Sequence, residues 1–379
     1  MSYMKVASLL IFFLSFINVY SQTNRTISRD WISFNQAIDI QTKKNKKFKI
    51  VASVKVASDE PKAWAGVWAR ENTKNGENGF FDNMNDRQIK LNQWQSYTVE
   101  GTITKNSKTL TFGGICSYNG KFYFDKFELF IENDKGVLEA VAILNPSFEL
   151  VVNENEIPKW NLGTANNQKI KVKEFVITSS DVKSDGNYGL LIEGNGIKIN
   201  ETGKIGNIEG ASPQIGAMIS MLEDLKNRVE LTVKNMDRYE IDYLHDDKAN
   251  RIGALIMHLA AAEAYYQVYT FENREFNEEE KKKWEVALDL DKGGQNEFKG
   301  HDIQYYLDIF DEVRAKTITE LKKRDDAWFA EEHKQDEVTN QYCWFHVMEH
   351  QSGHLGQILF LKKRIPPELD LNFDQKLKN

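Results

Sequence analysis

Between about residues 23 and 132, apolar and polar residues alternate with the period of two that is typical of β-strands. The clearest runs cover residues 48–56, 94–99 and 121–131, and turn-forming pairs such as Asn75-Gly76 lie between them. Short strands at regular spacing predict an antiparallel β-sandwich. We therefore expect residues 22–135 to form such a sandwich.

The following segment, residues 136–210, is also rich in β-forming residues but its alternation is less regular. Residues 145–160 look like the first strand of a second sandwich, and residues 189–194 like one of its later strands. The segment is too short for a complete module of this kind. Two interpretations stay open: a partial second sandwich packed on its neighbours, or a β-rich linker.

At Ser212-Pro213 the pattern changes to the helical period, with Ser as a helix N-cap and Pro at the first helical position. From this point to Pro366 no segment reads as a strand. The pattern contains four long helices, with a long connection between the second and the third. This arrangement predicts an up-down four-helix bundle over residues 211–368. The predicted helices cover about 213–236, 247–271, 301–328 and 339–363, with a short charged helix near 277–287.

The first 21 residues have the pattern of a secretory signal peptide. A short basic start is followed by an apolar run, and small residues at Val19 and Ser21 suit cleavage before Gln22. The apolar run is shorter than the roughly 20 residues that a membrane span needs, although an uncleaved anchor is the alternative. We expect a periplasmic or secreted protein with no membrane span after cleavage.

Composition narrows the class of protein further. Apolar residues make up 41% and charged residues 28% of the 379 residues, which is typical of a globular chain. The formal charge of -7 argues against a nucleic-acid partner, because phosphate binding needs an excess of Lys and Arg. Cys116 and Cys343 are the only cysteines and lie in regions of different character, so we expect no structural disulfide.

The last predicted helix carries His346, His350 and His354. Because successive helical residues turn by about 100°, His350 and His354 lie one turn apart on the same face. That face also carries the apolar residues Cys343, Val347, Ile358 and Leu361, whereas His346 lies just outside it. Buried imidazoles need polar partners. One metal ion would satisfy both rings, and a hydrogen-bonded core histidine is the alternative for either ring alone.

The second predicted helix adds another histidine on its apolar face. The same angular count places His258 on one face with Leu255, Ala262, Tyr266 and Tyr269. Facing helices of a bundle supply the ligands of metal sites in the bundle interior. The pattern therefore favours a site with one ligand from the second helix and two from the fourth.

Residues 213–367 resemble the DinB-like superfamily of metal-binding four-helix bundles, which also includes thiol-dependent transferases and isomerases. The most specific feature is the ending His-x-x-x-His-x-Gly-Gln at residues 350–357. Arg commonly follows the final histidine in this family; Leu355 stands there in this chain. The other matching residues are Ile215, Gly216, Met221, Leu222, Asn250, Arg251, Ile252, Gly253, Ala254, Leu255, His258, Glu263, Trp344 and His346.

By this resemblance, His258, His350 and His354 are the metal ligands. The ion is then divalent, and both Zn and Ni suit imidazole ligands. Three imidazoles leave coordination positions open, as in catalytic sites. Cys343 lies two turns before His350, about 10 Å along the helix, so we interpret it as a buried apolar residue.

Five further side chains near the histidines have less definite predicted roles. Glu263 points about 140° away from His258 and is expected to pair with another helix. Glu349 is a weak candidate for contact with a ligand. His346 either assists the site or lies at the surface, and Tyr266, with its neighbour Tyr265, either lines the cavity or packs in the core.

The N-terminal region resembles the galactose-binding-like jelly rolls of secreted bacterial proteins. The resembling residues are 64–70, 81–87, 94–97 and Phe124-Asp125. This resemblance implies a sandwich more directly than it implies sugar binding. Trp64, Trp68 and Trp94 either stack on a carbohydrate or pack within the sandwich, and Asp82, Asp86 and Arg87 either line a loop or form ion pairs.

Two functions are compatible with these features. The first is an exported, DinB-like, metal-dependent enzyme of the transferase or hydrolase type, which acts on an unknown small molecule. Export would separate it from the low-molecular-weight thiols of the cytosol. The alternative is a non-catalytic extracellular or periplasmic protein with a glycan-binding sandwich and a structural metal. The sequence leaves a homodimer open.

Overall fold

The computed structural model describes residues 25–163, 170–198, 203–333 and 337–366. The chain divides into two compact units, residues 1–198 and residues 199–379, which we call the sandwich unit and the helical unit. The predicted signal peptide, residues 1–21, lies outside the described residues, and export stays a prediction. No helix in the described ranges combines the length and the apolar character that crossing a membrane requires.

The sandwich unit is built almost wholly from antiparallel strands. Within its described residues they form a five-stranded sheet in the order β10-β2-β7-β4-β5 and a six-stranded sheet in which β12-β13-β8-β3-β6 are joined by β9 on β8. A short parallel pair joins β1 to β11. The strands are β1 (Arg25–Ile27), β2 (Trp31–Asp39), β3 (Lys46–Ala57), β4 (Trp64–Thr73), β5 (Asn78–Asp82), β6 (Gln95–Ile103), β7 (Ser107–Ser117), β8 (Gly120–Glu132), β9 (Leu138–Val141), β10 (Asn161–Leu162), β11 (Ile170–Val172), β12 (Phe175–Ser180) and β13 (Gly189–Gly194).

The two larger sheets share one hydrophobic core, as the predicted sandwich requires. Phe34 of the five-stranded sheet is fully buried, and its ring lies edge-on to Phe124 and Phe127 of β8. Phe148 and Trp160, which follow β9, pack against the same ring. The aromatic residues of both sheets therefore meet at Phe34.

The segment whose role the sequence left open contributes directly to this sandwich. β13 pairs with β8, and β12 pairs with β13, so the segment extends the six-stranded sheet at one edge. β10 likewise adds an edge strand to the five-stranded sheet. The predicted boundaries at residues 136 and 210 stay predictions.

The tryptophans that the sequence offered as sugar-stacking candidates are largely buried. Trp64 is 8% and Trp68 3% exposed, and the Trp68 indole Nε1 donates a hydrogen bond to the Gly114 carbonyl at 3.1 Å. Trp94 is half-buried and lies edge-on to Tyr123. This burial favours packing over carbohydrate stacking.

The predicted loop acids form an ion-pair cluster. Arg87 donates hydrogen bonds to the carboxylates of both Asp82, at 2.5 Å, and Asp86, at 2.8 Å. The ion-pair interpretation of these residues is therefore the one that the structure supports.

The helical unit contains four long helices that pack as a ring. α3 packs on α6 and α8, and α1 packs on the same two helices. α4 lies against α3. The helices are α1 (Pro213–Val233), α2 (Arg238–Asp242), α3 (Ile252–Gln267), α4 (Glu278–Asp289), α5 (Asp291–Glu297), α6 (Ile303–Leu321), α7 (Asp326–Ala330) and α8 (Asn340–Lys362); a π-helical turn, Val268–Glu272, continues α3. The predicted bundle is confirmed.

Local capping explains where the observed helices differ from the predicted ones. The helix predicted at 301–328 is interrupted after Leu321, because the Asp325 side chain accepts a hydrogen bond from Trp328 N and starts α7. The helix predicted at 213–236 stops at Val233, and Asp237 forms a capping box at the start of α2. Helix α3 begins at Ile252, five residues later than predicted.

Helix α1 begins at Pro213 as predicted, but its cap comes from elsewhere. The Ser212 side chain makes no capping hydrogen bond to the helix and donates instead to the Asp326 carboxylate of α7. The same carboxylate accepts the backbone N–H of Gln214 at 3.1 Å and of Ile215 at 3.4 Å. Asp326 therefore satisfies donors that a helix start leaves without partners.

Candidate metal centre

Helix α3 is buried on all faces except one, and His258 lies on this partly exposed face. Within Ile252–Gln267, only His258, Ala262, Tyr265 and Tyr266 are partly exposed. Their spacing of four, seven and eight residues places them on one face. Solvent therefore reaches α3 along the face that carries the predicted ligand.

The two predicted ligands of α8 stand one turn apart beside this face. His350 and His354 are both partly buried, and the apolar residues Val347, Ile358 and Leu361 of α8 are buried in the bundle. This confirms the helical argument that the histidine pair shares the core-facing side of α8.

The three imidazoles converge through their Nε2 atoms. The Nε2 atom of His350 lies 3.0 Å from that of His258 and 3.0 Å from that of His354. Among the described residues these three form a group in which each ring offers one ligand atom and all of these atoms lie within 4.8 Å of one another. Two nitrogens that bind one tetrahedral ion at about 2.0 Å are roughly 3.3 Å apart. The separations are close to those of a metal site.

Hydrogen bonds to the outer ring nitrogens fix where the protons lie. His258 Nδ1 is 2.8 Å from the Ala287 carbonyl of α4, and a carbonyl only accepts, so Nδ1 carries the proton and Nε2 a lone pair. His354 Nδ1 donates in the same way to Gln357 Oε1 at 3.2 Å. Two of the three Nε2 atoms are therefore unprotonated in the neutral rings.

Electrostatics keeps all three rings neutral. Burial, followed by the charges of His354 and His258, lowers the pKa of His350 to about 4. Burial also lowers the pKa of His258 and of His354. Because His258 and His354 carry their protons on Nδ1, at most one of the three Nε2 atoms, that of His350, is protonated. A single N–H cannot donate to the Nε2 atoms of both other rings in good geometry. Neutral imidazoles with converging lone pairs are the donor set that a divalent ion requires.

The neighbouring polar residues do not join this group. His346 lies one turn before His350, and its side chain is 42% exposed and pairs with Glu349 at 3.4 Å. The rings of His346 and Tyr266 lie edge-on at 5.8 Å, so these two residues border the site on its α8 and α3 sides. Cys343 is 1% exposed, in agreement with its predicted apolar role.

Glu263 takes the structural role that its direction predicted. Its carboxylate is 1% exposed and accepts two hydrogen bonds from the guanidinium of Arg314 on α6, at 2.8 and 2.7 Å. His333, which lies outside the three-histidine group, is buried and stacks on Tyr269.

Sequence reasoning missed several residues that support the site. The Ala287 carbonyl gives no side-chain signal, and Gln357 was noticed only as part of the family ending. Arg314 and Gln351 were not considered. A signal for Arg314 was present, because it shares one face of α6 with the apolar residues Leu307 and Phe310.

The four long helices and the three-histidine cluster together form a helical bundle compatible with metal binding. A comparison with protein families agrees: residues 217–366 match the family described as Mycothiol-S-transferase, which is a DinB-like family. A search of curated proteins returned no significant match.

Proposed function

We propose that the helical unit is a metal-dependent enzyme of the transferase type, with a divalent ion held by His258, His350 and His354. The observation that carries this proposal is the convergence of three neutral imidazoles beside the partly exposed face of α3, with His350 Nε2 3.0 Å from the Nε2 atoms of His258 and His354. A purely structural site has four protein ligands, whereas catalytic sites use three and keep a position open. The described residues offer three.

The chain's own residues prepare this site before any substrate arrives. The Ala287 carbonyl and the Gln357 amide hold the rings of His258 and His354 by their Nδ1 protons and direct their Nε2 lone pairs to one point. A divalent ion bound there supplies positive charge that lowers the pKa of a thiol or water that it takes up. Tyr266 and His346 then border the space that a substrate would enter.

The family description favours sulfur transfer as the reaction. In such a transfer the thiol loses its proton, the sulfur forms a bond to an electrophilic carbon of a small molecule, and the leaving group departs with the bonding electrons. Hydrolysis, with water in place of the thiol, is the other reaction that the same site supports. Zinc and nickel are the metals that we propose.

We expect purified full-length protein to contain about one equivalent of divalent metal per chain and to turn over a thiol–electrophile pair. A chelator should abolish turnover, and restoring the metal should recover it, because the ligands are all uncharged and release the ion reversibly. Elemental analysis and a panel of thiol acceptors and esters are the measurements. Less than a tenth of an equivalent of metal, with none taken up on reconstitution, would refute the site. One equivalent with no turnover, and a lower melting temperature after chelation, would indicate a structural metal.

A second candidate function is glycan binding by the sandwich unit. It rests on a cavity of about 410 Å³ at the β4–β5 hairpin, whose lining does not include the buried tryptophans. Phe81, which is 61% exposed, lines this cavity together with Arg70, Asn72 and Glu77. An exposed aromatic ring beside hydrogen-bonding groups is the combination that a sugar ring requires.

For this second function, Phe81→Ala is expected to weaken the affinity for a bound glycan roughly 2- to 10-fold, the loss of one stacking contact. Titration calorimetry with glycans selected from a panel measures the effect. Leu91→Ala is the matched control, because Leu91 is 51% exposed in the same unit and does not line the cavity. Equal affinities of the two variants, or no glycan bound by the unaltered chain, would exclude carbohydrate at this cavity.

A further inference from the structure

The guanidinium of Arg314 lies in the interior of the bundle and contacts three other helices. Arg314, on α6, is 2% exposed. Its Nε and Nη2 donate to the Glu263 carboxylate of α3, and Nη2 also donates to Gln351 Oε1 of α8 at 3.0 Å. Nη1 donates to the Leu222 carbonyl of α1. One side chain therefore joins all four long helices.

The partners of Arg314 lie beside the histidines in the sequence. Glu263 follows His258 by five residues on α3, and Gln351 directly follows His350 on α8. The guanidinium thus connects α3 and α8 within about 8 Å, measured along α3, of the residue whose imidazole meets α8. A shift of α8 along α3 would separate Gln351 from Arg314 as well as His350 from His258.

The Glu263 carboxylate is itself held on its other side. Thr317 donates its hydroxyl to Glu263 Oε1 at 2.6 Å, and Gln267 donates to the Thr317 hydroxyl at 2.8 Å and to the Val313 carbonyl at 2.7 Å. All of these residues are buried. The anion cannot follow a displaced arginine without breaking several buried hydrogen bonds.

Stability alone does not explain such a network. Replacing a buried ion pair by apolar residues of similar volume is often neutral or stabilising, since desolvation offsets the attraction. The network differs from apolar packing in its geometry. A planar guanidinium that donates hydrogen bonds along two of its edges fixes the positions of the groups that accept them. Apolar side chains tolerate a small sliding of helices, whereas a displaced buried donor loses its hydrogen bond.

We propose that Arg314, acting through Glu263 and Gln351, is a positioning residue that sets the register of α3 against α8 and so brings the Nε2 atoms of His258 and His350 together. This inference rests on the proposed function for its metal-binding consequence. The register itself is a property of the metal-free chain. The two ideas can therefore be tested separately.

The main test compares the full-length chain with the double variant Arg314→Met, Glu263→Leu, which removes both buried charges together. We expect it to fold with a melting temperature near that of the unaltered chain. Its affinity for Co²⁺, used as a spectroscopic probe, should fall by about 10- to 100-fold, as for other groups that orient metal ligands. At saturating Co²⁺ its absorption spectrum should also differ, because the ligand geometry has changed.

A second variant and a control protect the test against a general folding defect. Gln351→Met keeps the ion pair and removes the contact to α8 alone, so it should change the same spectrum with a smaller loss of affinity. Lys226→Met is the matched control, because the Lys226–Asp311 pair joins α1 to α6 without reaching α3 or α8. Its Co²⁺ affinity and spectrum should stay unchanged.

Nitrogen NMR of the imidazoles in metal-free protein supplies the readout that does not depend on metal. The unaltered chain should show a coupling between the Nε2 atoms of His258 and His350, which lie 3.0 Å apart across α3 and α8, and the double variant should lose this pattern. If both variants match the unaltered chain in the NMR spectrum and in the Co²⁺ spectrum, the positioning role is wrong. If the unaltered chain takes up no Co²⁺ while the NMR pattern is lost in the double variant, the proposed function fails and the positioning role stands.

Discussion

Replacement of His350 by alanine is expected to abolish stoichiometric metal binding, with a loss of affinity of at least about 100-fold, which exceeds the usual effect of removing a group outside the ligand shell. The reason is geometric. His350 Nε2 lies 3.0 Å from each of the other two Nε2 atoms, so it is the member that joins the group. Elemental analysis after reconstitution and a competitive titration of metal affinity are the measurements.

His346→Ala is the matched control for this prediction. It removes an imidazole from the same helix, one turn earlier, whose side chain pairs with Glu349 and is 42% exposed. This variant should keep about one equivalent of metal. Retention of normal metal content by His350→Ala, or an equal loss in both variants, would contradict the assignment of ligands.

Phe34→Ala is expected to destabilise the sandwich unit by about 3–5 kcal/mol, the usual cost of truncating a buried Phe. Phe34 is fully buried, and four aromatic rings contact it edge-on: Phe124, Phe127, Phe148 and Trp160. Neighbouring rings cannot fill the space that its ring leaves without losing their own contacts. Urea unfolding of the full-length chain, followed by tryptophan fluorescence, measures the change in the sandwich transition.

Phe81→Ala serves as the control for this loss. Phe81 is 61% exposed on the same five-stranded sheet, so its truncation should change the free energy of unfolding by no more than about 0.5 kcal/mol. A similar small effect for Phe34→Ala would show that the aromatic cluster does not stabilise the sandwich. Two separate transitions within the sandwich unit would argue that residues 136–198 fold apart from the rest.

The sequence predicted the histidine cluster well because helical geometry is local. Residues one turn apart on an α-helix share a face whatever the rest of the chain does. His350 and His354 could therefore be placed on the apolar side of α8, and His346 outside it, before α3 was considered. The same count marked His258 as a candidate on α3, but periodicity could not show which helices face each other, and the family resemblance supplied that pairing.

Strand pairing could not be predicted in the same way. The alternation of apolar and polar residues identified the runs that form β3 and β8. When one face of a sheet is buried, every second residue of each strand is apolar, so the pattern can be read from a single strand. Which strands lie side by side depends on residues far apart in the chain. β13 pairs with β8 some 70 residues earlier, and the weak alternation of residues 136–210 gave no sign of it.

The partners of buried polar groups could not be predicted from the sequence either. Arg314 interrupts an apolar face of α6, and Asp326 provides the cap of α1, yet each has its meaning only beside a partner from another helix. A single charged residue on an apolar face is a recognisable signal. Its partner can be identified only after the helices have been packed.

The long sequence separation of the groups that complete this bundle sets the order in which a newly made chain can assemble it. The cap of α1 comes from Asp326, 114 residues after Ser212, and His258 meets His350 across 92 residues. During synthesis from the N-terminus, the sandwich unit is finished before any of these partners exists. A metal ion that reached the growing chain early would find one of the three clustered imidazoles, and chelation would begin only after α8, the last of the described helices, had been made.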